Sequence, residues 1–405
     1  MIAPKLRFSE FKDEWIESKI GENFNVTSGT TPLRSEQSYF ANPSIYWVKT
    51  TDLNNGIIKS TEEKISKIAL AKTSLKILPK NTVFVAMYGG FNQIGRTGIL
   101  SVEATCNQAL SAIYPNENFN PYFVLTYLNH KVDDWKNFAA SSRKDPNITK
   151  NDVLSFPIIY PTLTEQTKIA EFLSAVDDKI SQLSRQLELL NQYKKGVMQK
   201  IFSQEIRFKN DNGEDFGEWE EVPLNQIASK VTVKNRGNKV TEVLTNSATQ
   251  GIIKQSDFFD REIVSESNIN GYYVVEVDDF VYNPRISVHA PVGPIKRNKI
   301  TQGIMSPLYT VFRFKEGNLD FLSYFFGTNF WHDYVKSVAN SGARHDRMNI
   351  TNSDFLEMPI LLPSIQEQEK IAEFLTAIDK RIDHTTAQLT QTKQWKKGLL
   401  QQMFV

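Results

Sequence analysis

Residues 157–202 (PIIYPTLTEQTKIAEFLSAVDDKISQLSRQLELLNQYKKGVMQKIF) return as residues 359–404 (PILLPSIQEQEKIAEFLTAIDKRIDHTTAQLTQTKQWKKGLLQQMF), displaced by 202 positions without a gap and with roughly half the positions identical. A period near half the chain is far too long for a solenoid, so two halves of one molecule are built alike around a long helix. The repeat extends upstream, where Leu6-Arg7-Phe8 and Trp15 are echoed by Ile206-Arg207-Phe208 and Trp219. Each half runs through a short aromatic lead-in, a variable segment and a long helix. The expected segments are 1–22, 23–153 and 154–204, then 205–228, 229–355 and 356–405.

With 405 residues and a net charge of +1, the chain has length for two separate cores and the mixed composition of a globular protein. Its N-terminus lacks the apolar core of a signal peptide, and no apolar run approaches the roughly 18 residues of a membrane span. A cytoplasmic protein without membrane contact is expected. Cys106 is the only cysteine, which excludes an internal disulfide and a cysteine-based zinc cluster and predicts a buried structural thiol. Near-neutral charge argues against a nucleic-acid binder, which usually carries a basic footprint. The charge is unevenly spread, however: segment 23–153 carries roughly +4 and segment 229–355 roughly +2, with acidic residues gathered in linkers such as 210–221.

The variable segments share little sequence but have matching elements. Residues 80–88 and 272–282 combine β-branched and aromatic residues and each predict a strand followed by a loop. Residues 121–138 and 319–337, aromatic-rich with helical spacing, predict one helix each. Before the long helices, Pro161 and Pro363 stop a strand, Thr162 and Ser364 can cap, and Glu165 and Glu367 fall where a capping box needs them.

Along the first long helix Val176, Ile180, Leu183, Leu187 and Leu190 follow the four-and-three spacing of a seam for one partner helix; Ile378, Ile382, Leu389 and Leu399 continue it in the second. Antiparallel pairing of the two helices is the economical reading. The alternative is that each packs only on its own domain. About 37 residues of helix span about 55 Å, long enough to hold two domains apart.

Catalytic constellations are missing from the sequence. The run 89–96 is glycine-rich but lacks the Gly-Lys-Ser/Thr ending of a phosphate loop. His130, His289, His332, His345 and His384 show no metal-ligand spacing. Tyr282-Asn283-Pro284-Arg285 has only a faint likeness to a methyltransferase loop, with Arg285 in place of a second proline, so no catalytic residue, metal or cofactor is expected in this chain. Polar loop residues do gather: Gln93, Arg96, Asn107, Gln108 and Ser142-Arg143-Lys144 in the first segment, Asn283, Arg285, His289, Arg344 and Arg347 in the second. Arginine with Asn or Gln is the chemistry that reads guanine and adenine edges in the major groove, while Lys and Ser suit phosphates. Solvated loop residues would show the same composition.

The doubled Glu-Gln-x-Lys-Ile-Ala-x-Phe-Leu run from 165 and 367, the Arg-Phe lead-ins and the two dissimilar segments they frame closely resemble the DNA-specificity subunit of type I restriction-modification systems, over essentially the whole chain. In the first segment Gly95–Leu100 and Ala104–Gln108 resemble the family's recurrent pattern, from which the second departs at Pro284-Arg285-Ile286 and Met305-Ser306-Pro307. The resemblance implies an α+β fold with two mixed, strand-rich target-recognition domains, 23–153 and 229–355, separated by two long antiparallel helices in a circularly repeated, pseudo-twofold arrangement. It implies a non-catalytic subunit that reads a bipartite site on double-stranded DNA. The implied partners are two methyltransferase subunits, which hold S-adenosylmethionine, and restriction (endonuclease and translocase) subunits. A coiled-coil scaffold with two ligand-binding domains and no DNA specificity is the competing reading.

Overall fold

A computed structural model describes residues 2–90, 92–139, 147–257, 266–339 and 346–405. The chain divides into two compact units, Met1–Arg185 with Thr386–Val405, and Gln186–Thr385. Both long helices, α1 (Leu163–Phe202) and α2 (Ile365–Met403), are cut by this division, so each unit takes the first part of one helix and the last part of the other. No helix among the described residues is long and apolar enough to cross a membrane.

The first unit is built on a five-stranded sheet of β1 (Val26–Ser28), β2 (Gly56–Ile58), β3 (Val83–Ala86), β4 (Thr97–Leu100) and β5 (Leu110–Ile113), in the order β1-β5-β3-β4-β2. β3, β4 and β5 are buried along their whole length; β3 (Val83-Phe84-Val85-Ala86) is wholly apolar, while β4 and β5 bury one polar residue each, Thr97 and Ser111. The lead-in strand Ile16–Lys19 pairs antiparallel with Pro157–Tyr160, fastening the N-terminus beside the start of α1. The core joins Trp15, Phe123, Trp135 and Phe156 to Ile169, Leu173 and Val176 of α1 and to Leu399, Met403 and Phe404. α1 enters this core with its first turns and α2 with its last, so the two stretches run in opposite directions. Each fully buried Leu or Phe side chain contributes about 1.5–3 kcal/mol. Cys106 is buried in a separate cluster of the first unit with Val48, Phe84 and Leu110, and burial pushes its thiol up to about 12, that of an inert structural cysteine.

The second unit repeats the plan with other residues. Its sheet of β6 (Ala228–Lys230), β7 (Phe280–Tyr282), β8 (Ile295–Arg297) and β9 (Thr310–Phe314) has the order β6-β9-β7-β8, the same as the first without a partner for β2. Glu220–Pro223 pairs with Pro359–Leu362 as the first lead-in does. Here Trp219, Phe321, Trp331 and Phe355 meet Ile201 and Phe202 from the end of α1 and Ile371, Leu375 and Ile378 from the start of α2.

Three local expectations are corrected. The single strand expected over 272–282 is two, Tyr273–Val275 and Phe280–Tyr282, because Asp278 turns the chain at φ 75° and the buried Asp279 accepts from the Glu276 amide at 2.8 Å. The helix expected over 121–138 is Pro121–His130 followed by Val132–Ala139, which turns so that Trp135 stacks on Phe156. That over 319–337 is Leu319–Phe325 and His332–Val338, interrupted around Gly327.

Candidate nucleic-acid interface

β3 and β7 occupy the same place in their sheets, and a hairpin loop follows each, 87–96 and 283–294. Both loops end on a glycine two residues before the next strand, Gly95 (φ 77°) and Gly293 (φ 85°). A Cβ at Gly95 would meet Trp135 Cδ1 at 2.9 Å, and one at Gly293 would meet the Asn283 carbonyl oxygen at 2.1 Å, so only glycine lets either loop turn back into its sheet.

In the first loop the Met87 amide donates to the Ala109 carbonyl at 2.8 Å, tying the hairpin to the turn before β5. Gln93, Arg96, Asn107 and Gln108 thereby come to one end of the sheet. Asn107 Oδ1 accepts from the Ala109 amide at 3.1 Å and Gln108 Oε1 from the Thr31 hydroxyl, so both carbonyl oxygens act inside the protein. The Arg96 guanidinium has no partner among the described residues, and Gln93 Oε1 is buried without one. The Ile148 amide donates to the Met87 carbonyl at 3.0 Å, which brings the chain that follows 140–146 to the same end. Ser142, Arg143 and Lys144 lie outside the described residues.

The second loop brings Asn283, Arg285 and His289 together with Arg347. The Ile286 amide donates to Asp346 O at 3.0 Å and the Met348 amide to Pro284 O at 2.9 Å, so Arg285 and Arg347 face each other across a bridge. Arg285 and His289 are exposed; Arg347 is half-buried, with Nε 3.6 Å from Asp346 Oδ2. Asn283 is buried and engaged: its amide nitrogen donates to Asn246 O and its oxygen accepts from the Arg285 amide, both at 3.0 Å. Asn283 therefore holds the loop that presents Arg285. Before β9, Ser306 Oγ accepts from the Leu308 amide at 3.3 Å, repeating the Asn107 turn. Arg344 and His345 lie outside the described residues.

Sequence reasoning passed over Tyr88 and Val288, exposed apolar side chains on the same two loops, Val288 at 95 %. Their signal was an apolar residue inside a polar run. It also missed what carries the domains. Glu165 and Glu367 sit where a capping box puts them, and Ser364 Oγ accepts from the Glu367 amide at 3.4 Å. Their carboxylates, however, are forked by the lead-in arginines: Arg7 Nε and Nη2 reach Glu165 at 2.7 Å each, and Arg207 reaches Glu367 at 2.8 and 2.9 Å.

Of the seam residues, Val176 and Leu399 lie in the first core with Ile180 packed against it; Ile378 lies in the second with Ile382 against it. Leu183 is buried, and Leu187, Leu190 and Leu389 are half-buried.

The model of the type I restriction modification DNA specificity domain matches the chain twice, over residues 12–192 and 217–394. The chain belongs to that family. A type I restriction enzyme MjaVIII specificity subunit of Methanocaldococcus jannaschii is 25% identical over 415 residues, covering 96% of this chain and 91% of that protein. The EcoR124I/EcoR124II specificity subunit of Escherichia coli is 25% identical over 190 residues, so the match spans about half of each, 45% of this chain and 46% of that protein. In fold, the chain is similar to the crystal structure of a type I restriction-modification S subunit from M. genitalium, with a TM-score of 0.60 at 14% identity, covering 100% of this chain and 99% of that one.

Proposed function

We propose that the protein is the sequence-specific DNA-recognition subunit of a type I restriction-modification complex. Domains 23–153 and 229–355 each read one half of a bipartite target in the major groove. The paired helices set the gap between the halves and help dock two methyltransferase subunits; restriction subunits complete the assembly. The observation that carries this reading is the hairpin loop after the same central strand in both units, which presents Arg96 in one and Arg285 in the other. A two-stranded hairpin fits the major groove, and an arginine at its end can fork onto guanine. Two domains with one frame and different loop residues read two different half-sites.

The chain itself supplies recognition, not chemistry. Methylation of a flipped adenine, with S-adenosylmethionine, belongs to the methyltransferase partners, and cleavage to the restriction subunits. Such a complex works on DNA in the cytoplasm. The near-neutral charge suits the role, since partner subunits can supply phosphate contacts.

The test exchanges residues 23–153 for the segment of another family member and maps methylated adenines in cells carrying the whole system. One half of the target should change and the other stay. If both change, or neither, the assignment fails. A scaffold without DNA specificity would show no selectivity among duplexes at any salt concentration.

A further inference from the structure

A cavity of about 560 Å³ lies within the second unit, between the last turns of α1 and the loops around β8. Lys194 and Lys195 line it from the helix, Lys296 from β8, His289 from the hairpin loop, and Trp331 and His332 from the segment after Leu319–Phe325. None of the described residues lining it is acidic. Lys194 is paired with Asp379 at 2.5 Å. The side chains of Lys195, Lys296, His289 and His332 have no hydrogen-bond or ion-pair partner among the described residues, and the buried indole N–H of Trp331 has none either.

The volume is that of small-molecule sites, roughly 300–1,000 Å³. The unpaired ammonium groups of Lys195 and Lys296 on a concavity select an anion, and lysine is a regular point-charge ligand for phosphate. Burial, with Lys336 beside it, holds the His332 imidazole below its usual range and favours its uncharged form. Burial, with Lys194 nearby, pushes the Lys296 ammonium below its usual range. A cation withdrawn from water without a counter-ion destabilises the fold, so an anion is the species that would relieve it.

The site is not a by-product of the repeat. Lys194 and Lys195 recur as Lys396 and Lys397, but Lys296 has no equivalent: β4, which holds the place of β8, is buried throughout and paired along its edge with β2. A surface for a partner that docks on both halves would be repeated in both.

We propose that this cavity binds a phosphate-bearing anion, either a free phosphorylated small molecule or a backbone phosphate of DNA. Only the second source rests on the recognition role proposed above.

Inorganic pyrophosphate titrated calorimetrically into the full-length chain should bind, and Lys296→Met should weaken it at least tenfold while raising the thermal midpoint of the free protein. Lys195→Ala should also weaken it. Its repeat equivalent Lys397→Ala, outside the cavity, should not. A free molecule is the occupant if duplex DNA leaves pyrophosphate binding unchanged. A DNA phosphate is the occupant if the two compete and Lys296→Met lowers the slope of log affinity against log salt by about one without altering base preference. The site is refuted if Lys296→Met changes neither kind of binding, or if Lys195→Ala and Lys397→Ala act alike, which would mark diffuse attraction to a basic surface. Base preference, read separately, reports on the recognition role alone.

Discussion

Lys396 Nζ lies 2.5 Å from Asp177 Oδ1, and the same two residue types displaced by 202 positions, Lys194 and Asp379, meet at 2.5 Å in the other unit. Each bridge takes its lysine from one repeat and its aspartate from the other, tying α1 to α2 within a unit. A tyrosine completes each set: Tyr122 donates to Asp177 Oδ2 at 2.6 Å and Tyr324 to Asp379 Oδ2 at 2.7 Å. Burial and the adjacent carboxylate push both phenols up. Both ions of the first bridge are 30% exposed or less, so Asp177→Ala, which strands Lys396 and the Tyr122 hydroxyl, should destabilise the first unit by about 2–3 kcal/mol. A double-mutant cycle of Asp177→Asn with Lys396→Met in urea unfolding should show coupling of about 1 kcal/mol. Strict additivity would mean the bridge contributes nothing.

Arg7 forks onto a Glu165 carboxylate that is only 1% exposed, and Arg207 onto an equally buried Glu367. Arg7→Ala leaves that charge unpaired and should cost about 3–5 kcal/mol. Arg7→Lys should recover little, because an ammonium cannot make both hydrogen bonds of the fork. Urea midpoints of the two variants decide this; full recovery by lysine would reduce the contact to simple charge.

Arg96→Ala and Arg285→Ala should each cost about 1–3 kcal/mol at one base position of the target. Arg347→Ala leaves the backbone bridge to Arg285 intact and removes a half-buried guanidinium beside the Arg285 loop, so it should weaken all sequences together. Competition binding with single-base variants of the target separates the two patterns, and uniform loss for Arg96 or Arg285 would reassign it to phosphate.

Deleting four residues of α1 between positions 180 and 195 removes about one turn, roughly 6 Å of rise. The gap between half-sites should shorten, or binding should be lost. An unchanged target in a methylation map would end the spacer role.

The His130 ring stacks on Phe404 with centroids 5.7 Å apart, and burial, with Lys131 beside it, holds its pKa below the usual 6.5. Between the folded and unfolded pKa values the unfolded chain binds more protons, so stability rises with pH across that window. This contribution is therefore complete above about pH 6.5 and is lost as the pH falls toward the folded value. His130→Phe should flatten the decline of the first unit's thermal midpoint between pH 6.5 and 5. An unaltered slope would place the proton uptake elsewhere.

The frame of this protein was legible in its sequence because two copies of one geometry keep the same key residues. The lead-in Arg7 and Arg207 and the helix-start Glu165 and Glu367 recur, and the seam recurs at Val176/Ile378, Ile180/Ile382 and Leu187/Leu389, with Thr385 and Thr392 in place of Leu183 and Leu190. Local periodicity reports helices of 40 and 39 residues well, since each turn repeats the last. Tertiary structure alone decided what lies between. The common sheet order of two dissimilar segments arises from strand pairings far apart in sequence, such as Val83 with Ile113 and Phe280 with Phe312, which leave no periodic trace. Whether a loop amide such as Asn283 is free for a ligand depends on its neighbours, here the Asn246 carbonyl and the Arg285 amide. The partner of Glu165, 158 residues away, and the cations gathered around Lys296 were settled by the same cause: side-chain chemistry is written residue by residue, but its environment exists only after folding.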